Sequence, residues 1–158
     1  MTPRLPYRQS PRLKNFDYLG PLAAHVVIVT QHRRPIFADQ STAVIALEWL
    51  DKTARRYAAL VHAYCFMPDH VHILIEVPEE VSLQRLVRWF KQMSGYALKQ
   101  SLGIPIWQVS YYDHVDHVLR KEEAIEEVAR YIWNNPVAEG LVDDWSRYPL
   151  SGPRELMV

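Results

Sequence analysis

The sequence predicts an α+β sandwich, helices packed on one sheet, and three observations carry that prediction. β-branched apolar runs alternate with stretches of helical period. Their order is strand, helix, strand pair, helix, strand, helix. The chain has 158 residues, within the roughly 100–200 that usually make one domain.

Each element has its own signal. Ala24 to Thr30 (AHVVIVT) is a short β-branched run, read as a buried strand ended by the Arg33-Arg34-Pro35 turn. From Ser41 to Ala58, Val44, Ile45, Leu47, Leu50, Ala54, Tyr57 and Ala58 fall mostly on one helical face, with Asp39 or Ser41 as N-cap. Leu60 to Phe66 and Val71 to Val77 are apolar runs joined by Met67-Pro68-Asp69-His70, a strand pair with a tight turn. Ser82 caps a second helix whose stripe is Leu83, Leu86, Val87, Phe90, Ala97 and Leu98, with Gly95 weakening it modestly. Ile106 to Leu119 reads as extended. A last helix runs from Glu122 to about Asn134 and is stopped by Pro136, because the residue before a proline avoids helical dihedrals. The expected organisation is a basic arm over residues 1–23, one domain over 24–151 and a tail over 152–158.

Composition narrows the class of function. Apolar residues make up 49%, which argues against disorder. One cysteine, Cys65, cannot form an internal disulfide, which fits a reducing compartment. No apolar run approaches the roughly 20 residues of a membrane span. Met1 to Leu13 holds three arginines and three prolines but no apolar core of a signal peptide, so a cytoplasmic protein is expected. The 18 bases and 18 acids cancel in sum but not along the chain. Residues 1–34 carry a balance of plus five, 35–112 are neutral and 113–158 carry minus five. Between Val81 and Tyr112 the charges are all basic: Arg85, Arg88, Lys91 and Lys99. Such segments serve either as solvated faces or as phosphate contacts.

Chemistry concentrates at His70-Val71-His72. Alternate residues of a strand share a face about 6.5–7 Å apart, so two histidines flanking a valine can grip one divalent ion. The bland alternative is a pair of polar-facing histidines on a sheet surface. A histidine-triad nucleotidyl hydrolase is a poor match, because position 74 is Leu74. A metal hydrolase could recruit Glu76, which shares the face of His70 and His72 by the period of two. A third reading is the HUH endonuclease arrangement, in which a helix elsewhere supplies a tyrosine nucleophile.

The segments Phe66-Met67-Pro68-Asp69-His70-Val71-His72-Ile73-Leu74, Trp107-Gln108-Val109-Ser110-Tyr111-Tyr112-Asp113-His114-Val115, Leu119-Arg120 and Tyr131-Ile132-Trp133-Asn134-Asn135-Pro136-Val137 resemble the single-tyrosine HUH transposases. The REP-associated tyrosine transposases, IS200-like enzymes, are the nearest branch. His25-Val26, Arg33, Arg34 and Phe37 near the start, and Trp145, Tyr148 and Ser151 near the end, extend the likeness over about Ala24 to Ser151. The resemblance implies a ferredoxin-like, HUH-endonuclease fold with an antiparallel sheet. It makes Tyr131 the nucleophile and points to Asn135 as the third metal ligand beside His70 and His72. Residue spacing agrees, because Tyr131 and Asn135 are i and i+4 on a helix and share a face, whereas Asn134 points about 100° away. Asn135-Pro136 also serves as a helix end.

The implied activity is metal-dependent cleavage and joining of single-stranded DNA beside imperfect hairpins, through a 5′-phosphotyrosine. Mixed nitrogen and oxygen ligands suit Mg2+ or Mn2+. Expected DNA contacts are Arg33, Arg34, Arg85, Arg88 and Lys91 on the backbone, with Trp107, Tyr111 and Tyr112 stacking on bases. Core packing is the competing role for the aromatics. His114 and His117 have no assigned role. The resemblance allows a homodimer that exchanges its tyrosine helix. The competing functions are a non-catalytic, hairpin-binding descendant and the hydrolase built on His70, His72 and Glu76.

Overall fold

The computed structural model describes residues 22–109, 115–119 and 125–157. The arm arginines Arg4, Arg8 and Arg12, with Lys14, and also Tyr111, Tyr112 and His114, lie outside the described residues. The elements are β1 (Leu22–Val29), α1 (Gln40–Tyr57), β2 (Leu60–Met67), β3 (His70–Val77), α2 (Leu83–Leu102), β4 (Val115–Leu119), α3 (Ile125–Ala138) and β5 (Ser151–Gly152). Every pairing is antiparallel, and the strand order is β4-β1-β3-β2-β5. The first four strands thus have the 4-1-3-2 order of a ferredoxin-like βαββαβ unit, as the fold class requires. The sheet reaches past both ends of 24–151, since β1 starts at Leu22 and Gly152 pairs with Tyr64.

Local chemistry sets the ends of the helices. Asp39 accepts the backbone N–H of Ser41 and opens α1, and Ser82 accepts that of Arg85 and opens α2. Gly103, at φ +71°, closes α2 in the left-handed conformation that glycine adopts without strain. The third helix departs from expectation at its end: it passes through Pro136 and runs on to Ala138. Proline removes its own N–H and crowds the carbonyl four residues back, but the chain beyond recovers hydrogen bonds from Glu139 to the Asn135 carbonyl and from Leu141 to that of Pro136.

The strand period divides the side chains between two layers. Phe66 and Val71 are cross-strand partners on the face covered by α1 and α2. There Phe37 packs against Phe66 and Trp107, and Trp107 against Phe90. The opposite face carries Cys65 and His72, which are partners, and Met67 and His70, which are the next pair. α3 covers that second face, lying against β2 and β3. Ala63 and Cys65, both fully buried, leave room for its close approach, and Val128, Ala129, Ile132 and Trp133 fill the interface. The Trp133 indole N–H donates to the Gly152 carbonyl at 2.8 Å, fixing this helix to β5.

Candidate functional site

The Pro68-Asp69 turn delivers His70 and His72 to the face under α3. Three donors pin it: Thr30 N–H and Thr30 Oγ1–H both reach the Asp69 carbonyl at 3.0 Å, and Phe37 N–H reaches that of Pro68 at 2.9 Å. The next strand over contributes a third imidazole. Val27 lies directly opposite His72, so His25, two residues earlier on the same face, is its diagonal neighbour. His25 Nε2 is 2.9 Å from His72 Nδ1, and His72 Nε2 is 3.1 Å from His70 Nε2. His70 Nδ1 is in turn 2.7 Å from Asp69 Oδ1, while Asp69 Oδ2 accepts Arg33 Nε–H at 3.2 Å. The chain of contacts runs from a fully buried histidine to an exposed arginine.

Protonation follows from this environment. Burial acts first on His72, then the neighbouring His25 and His70, and together they push its pKa well below the ordinary histidine value. His72 is therefore neutral and keeps one lone pair. Partial burial raises the Asp69 carboxyl, but the hydrogen bond from His70 and the charge and hydrogen bond of Arg33 outweigh it and hold the group below its ordinary value. An ionised carboxylate has no proton to give, so His70 Nδ1 carries the one in this hydrogen bond.

α3 adds the phenol. Tyr131, half-buried, stands edge-on to both rings, with centroids 6.0 Å from His25 and 6.3 Å from His72. Asn135, one turn on, is 1% exposed. Its amide nitrogen has no hydrogen-bond partner among the described residues. A buried amide left in that state costs about 1–3 kcal/mol unless something else engages it.

These residues fit a divalent ion. A separation of 3.1 Å between the two Nε2 atoms matches neighbouring ligands that share one ion at about 2.1 Å each. Among the described residues no cluster of three His, Cys, Asp or Glu could hold a metal, so the two histidines have no third ligand of those types. Glu76 does not supply one. Four residues beyond His72 it is roughly 13 Å along the strand, and its carboxylate is bonded to His62 Nε2 at 2.9 Å. The hydrolase set of His70, His72 and Glu76 is corrected on that ground.

The expected DNA contacts separate into distinct places. Arg33 and Arg34 are exposed beside the site, and His32 and Arg33 both have positive φ, 57° and 50°. Non-glycine residues held in that region are rare and tend to mark functional loops. Arg85 and Arg88 are exposed on α2, in the layer on the far side of the sheet from the histidines. Lys91 donates to the Gln108 carbonyl at 3.1 Å. Trp107 requires correction as a stacking residue. It is 7% exposed between Phe37 and Phe90, with its indole N–H donated to Ser94 Oγ at 2.9 Å, and no ring face is left for a base.

His25 and Asp69 stand in the segments that carry the resemblance, but the sequence reading gave neither a role in the site. A histidine inside the apolar run AHVVIVT was itself a signal, because a buried imidazole needs a polar partner.

A ferredoxin-like sheet carrying paired histidines under a tyrosine-bearing helix defines the class of this protein. It belongs to the IS200-like transposase family, whose model matches residues 20–135. A Haemophilus influenzae protein described only as uncharacterized is 23% identical over 163 residues, spanning 83% of this chain and 89% of that one. A second protein of that organism, described as a candidate REP-associated tyrosine transposase, is 25% identical over 112 residues, 63% of this chain and 62% of its own. Among solved structures, a REP-associated tyrosine transposase bound to a REP hairpin superposes with a TM-score of 0.70 at 20% identity, over 89% of this chain and 81% of that one. A Deinococcus radiodurans protein described as a candidate transposase gives 0.53 at 21% identity, over 78% and 97%. No helix among the described residues is long and apolar enough to cross a membrane.

Proposed function

We propose that this transposase is a metal-dependent, single-tyrosine strand transferase that cuts single-stranded DNA beside hairpins. The observation that carries the reading is the convergence of His70, His72 and Tyr131 on one sheet face. The fold shared with a transposase bound to a REP hairpin supports hairpin DNA as the partner. A DNA substrate and a lone cysteine agree with action in the cytoplasm.

The residues have separable tasks. His70, His72 and the Asn135 oxygen would hold a Mg2+ or Mn2+ ion, which when bound polarises a non-bridging phosphate oxygen. A phenol has a pKa near 10 and needs such activation of its target. Tyr131 Oη attacks phosphorus and loses its proton. The bond from phosphorus to the 3′ oxygen breaks and that oxygen leaves as a 3′-OH, so the DNA 5′ end is held as a phosphotyrosine. One phosphodiester replaces another, and a 3′-OH can reverse the step to join strands. Arg33 and Arg34 beside the histidines, and Arg85 and Arg88 on α2, would neutralise backbone phosphates.

The test is a denaturant-resistant adduct between the full chain and labelled hairpin DNA carrying a single-stranded flank, with Mg2+ or Mn2+. Wild type forms it and Tyr131→Phe does not. An adduct with both proteins, or with neither across a range of hairpins, overturns the assignment. Hairpin binding with no adduct identifies a non-catalytic binding protein instead.

A further inference from the structure

We propose that His25 and Asp69 are positioning residues, which fix the ring orientation and the protonated nitrogen of His72 and of His70 so that both Nε2 atoms present a lone pair to one point. The inference rests on the reading of His70 and His72 as ligands of a divalent ion.

An imidazole that gives one nitrogen to a metal keeps its proton on the other, and the partner of that N–H sets how the ring sits. The two rings solve this differently. His70 Nδ1–H donates to the Asp69 carboxylate at 2.7 Å, in the turn that starts its strand. His72 is too deep for a charged partner, and the group beside its Nδ1 is a second histidine, His25 Nε2, at 2.9 Å. With Nε2 of His72 turned toward His70, its Nδ1 holds the proton and His25 Nε2 accepts it. His25 is itself fully buried and held in β1, whose register with β3 sets the diagonal placement. The neutral pair suits its depth, since a carboxylate there would carry the larger cost of a buried charge. Asp69 stands at the exposed end, where Arg33 occupies its other oxygen. The assembly thus passes from a neutral interior partner to a charged surface partner, with the two Nε2 atoms 3.1 Å apart between them.

The experiment is a titration of Mn2+ alone into the full-length, metal-free protein, with free Mn2+ read by electron paramagnetic resonance and folding by thermal melting. Loss of a partner of this kind costs about 10–100-fold in metal affinity. His25→Leu and Asp69→Ala are expected to show that loss. His25→Gln, whose amide oxygen can accept from His72 Nδ1–H, and Asp69→Asn, which can accept from His70, bind more tightly than their apolar counterparts. A purely structural role would lower the melting temperature and leave Mn2+ affinity alone. Folded His25→Leu and Asp69→Ala that bind within twofold of wild type overturn the inference and leave the metal reading standing. A wild-type protein that binds no Mn2+ overturns both. Nitrogen-15 NMR of the Mg2+-loaded wild type needs no variant: it is expected to find the His72 proton on Nδ1, and a proton on Nε2 overturns the inference.

Discussion

Tyr131 meets His72 edge-on, with ring centroids 6.3 Å apart and planes at 88°, so a residue of α3 and a residue of β3 share one surface. The relationship depends on the close seating of α3 over Ala63 and Cys65, and on the tie to Gly152 from Trp133, two residues beyond the tyrosine. Phenylalanine at position 131 keeps the ring contacts and removes only the hydroxyl. Tyr131→Phe should therefore abolish cleavage, hold hairpin affinity within about twofold, and change stability by less than about 1 kcal/mol. Gel-shift titration and melting curves beside the adduct assay check this, and a variant that lost hairpin binding as well would contradict it.

Asn135 and Glu76 make a paired prediction. Asn135 is buried with its amide nitrogen lacking a hydrogen-bond partner among the described residues, whereas Glu76 is bonded to His62. Asn135→Ala should weaken Mn2+ binding at least tenfold, on the scale of about 1.4 kcal/mol per decade, and Glu76→Gln should leave it unchanged. Calorimetric titration of the two variants decides between them, and the reverse pattern would restore the carboxylate to the site.

Trp107 should act through stability. Its ring is enclosed by Phe37 and Phe90 and its N–H is bonded to Ser94, so Trp107→Ala is expected to cost about 3–5 kcal/mol. Trp107→Phe keeps most of the packing and should bind hairpin DNA as wild type does. Urea melts and a binding isotherm on the Phe variant test this; a tenfold fall in affinity with unchanged stability would return the ring to the DNA surface.

These residues also mark how far the sequence carries. His70 and His72 were legible because strand alternation puts both on one face, and Tyr131 and Asn135 because four residues make a helical turn. His25 was not, since its role is set by the register between β1 and β3, and its own run reads only as a buried strand. Asp69 reads as a turn former, and its second use appears when the turn folds back toward His70 and Arg33. Trp107 lies in an extended segment near basic residues, where core and stacking roles have the same local signature. Pro136 misled because its local cost, one lost hydrogen bond and crowding of the preceding turn, is outweighed in a last turn that is already buried on the sheet.

Cys65 offers a pH test of the interior beneath His72. Burial pushes its thiol up to about 12, offset only in part by the neighbouring Ser151 hydroxyl. The native thiol stays protonated where the unfolded chain ionises, so its contribution to stability is full below about pH 9 and is lost as pH rises toward 12. At pH 9 iodoacetamide should modify denatured protein rapidly and native protein very slowly, and melting temperature should decline above that pH. Equal alkylation rates with and without denaturant would show that the α3 side of the sheet is open.

Hairpin binding should be salt-sensitive in a way that locates the contacts. The formal charge of the chain is zero, so attraction for DNA must come from placed residues. Arg33 and Arg34 stand beside the histidines, while Arg85 and Arg88 lie on the other side of the sheet. Each phosphate contact releases counterions, and removing one lowers the slope of log affinity against log salt by about 0.7–1. Arg33→Ala and Arg34→Ala should each flatten the slope by that amount and weaken binding at low salt. Arg33→Ala also frees the second oxygen of Asp69, and because His70 uses the first, Mn2+ affinity should hold. If Arg85→Ala and Arg88→Ala flatten the slope as well, the bound DNA wraps from the histidine face around to α2; if they do not, the contact is confined to the mouth of the site. Affinity that stayed constant from low to high salt would exclude both arrangements.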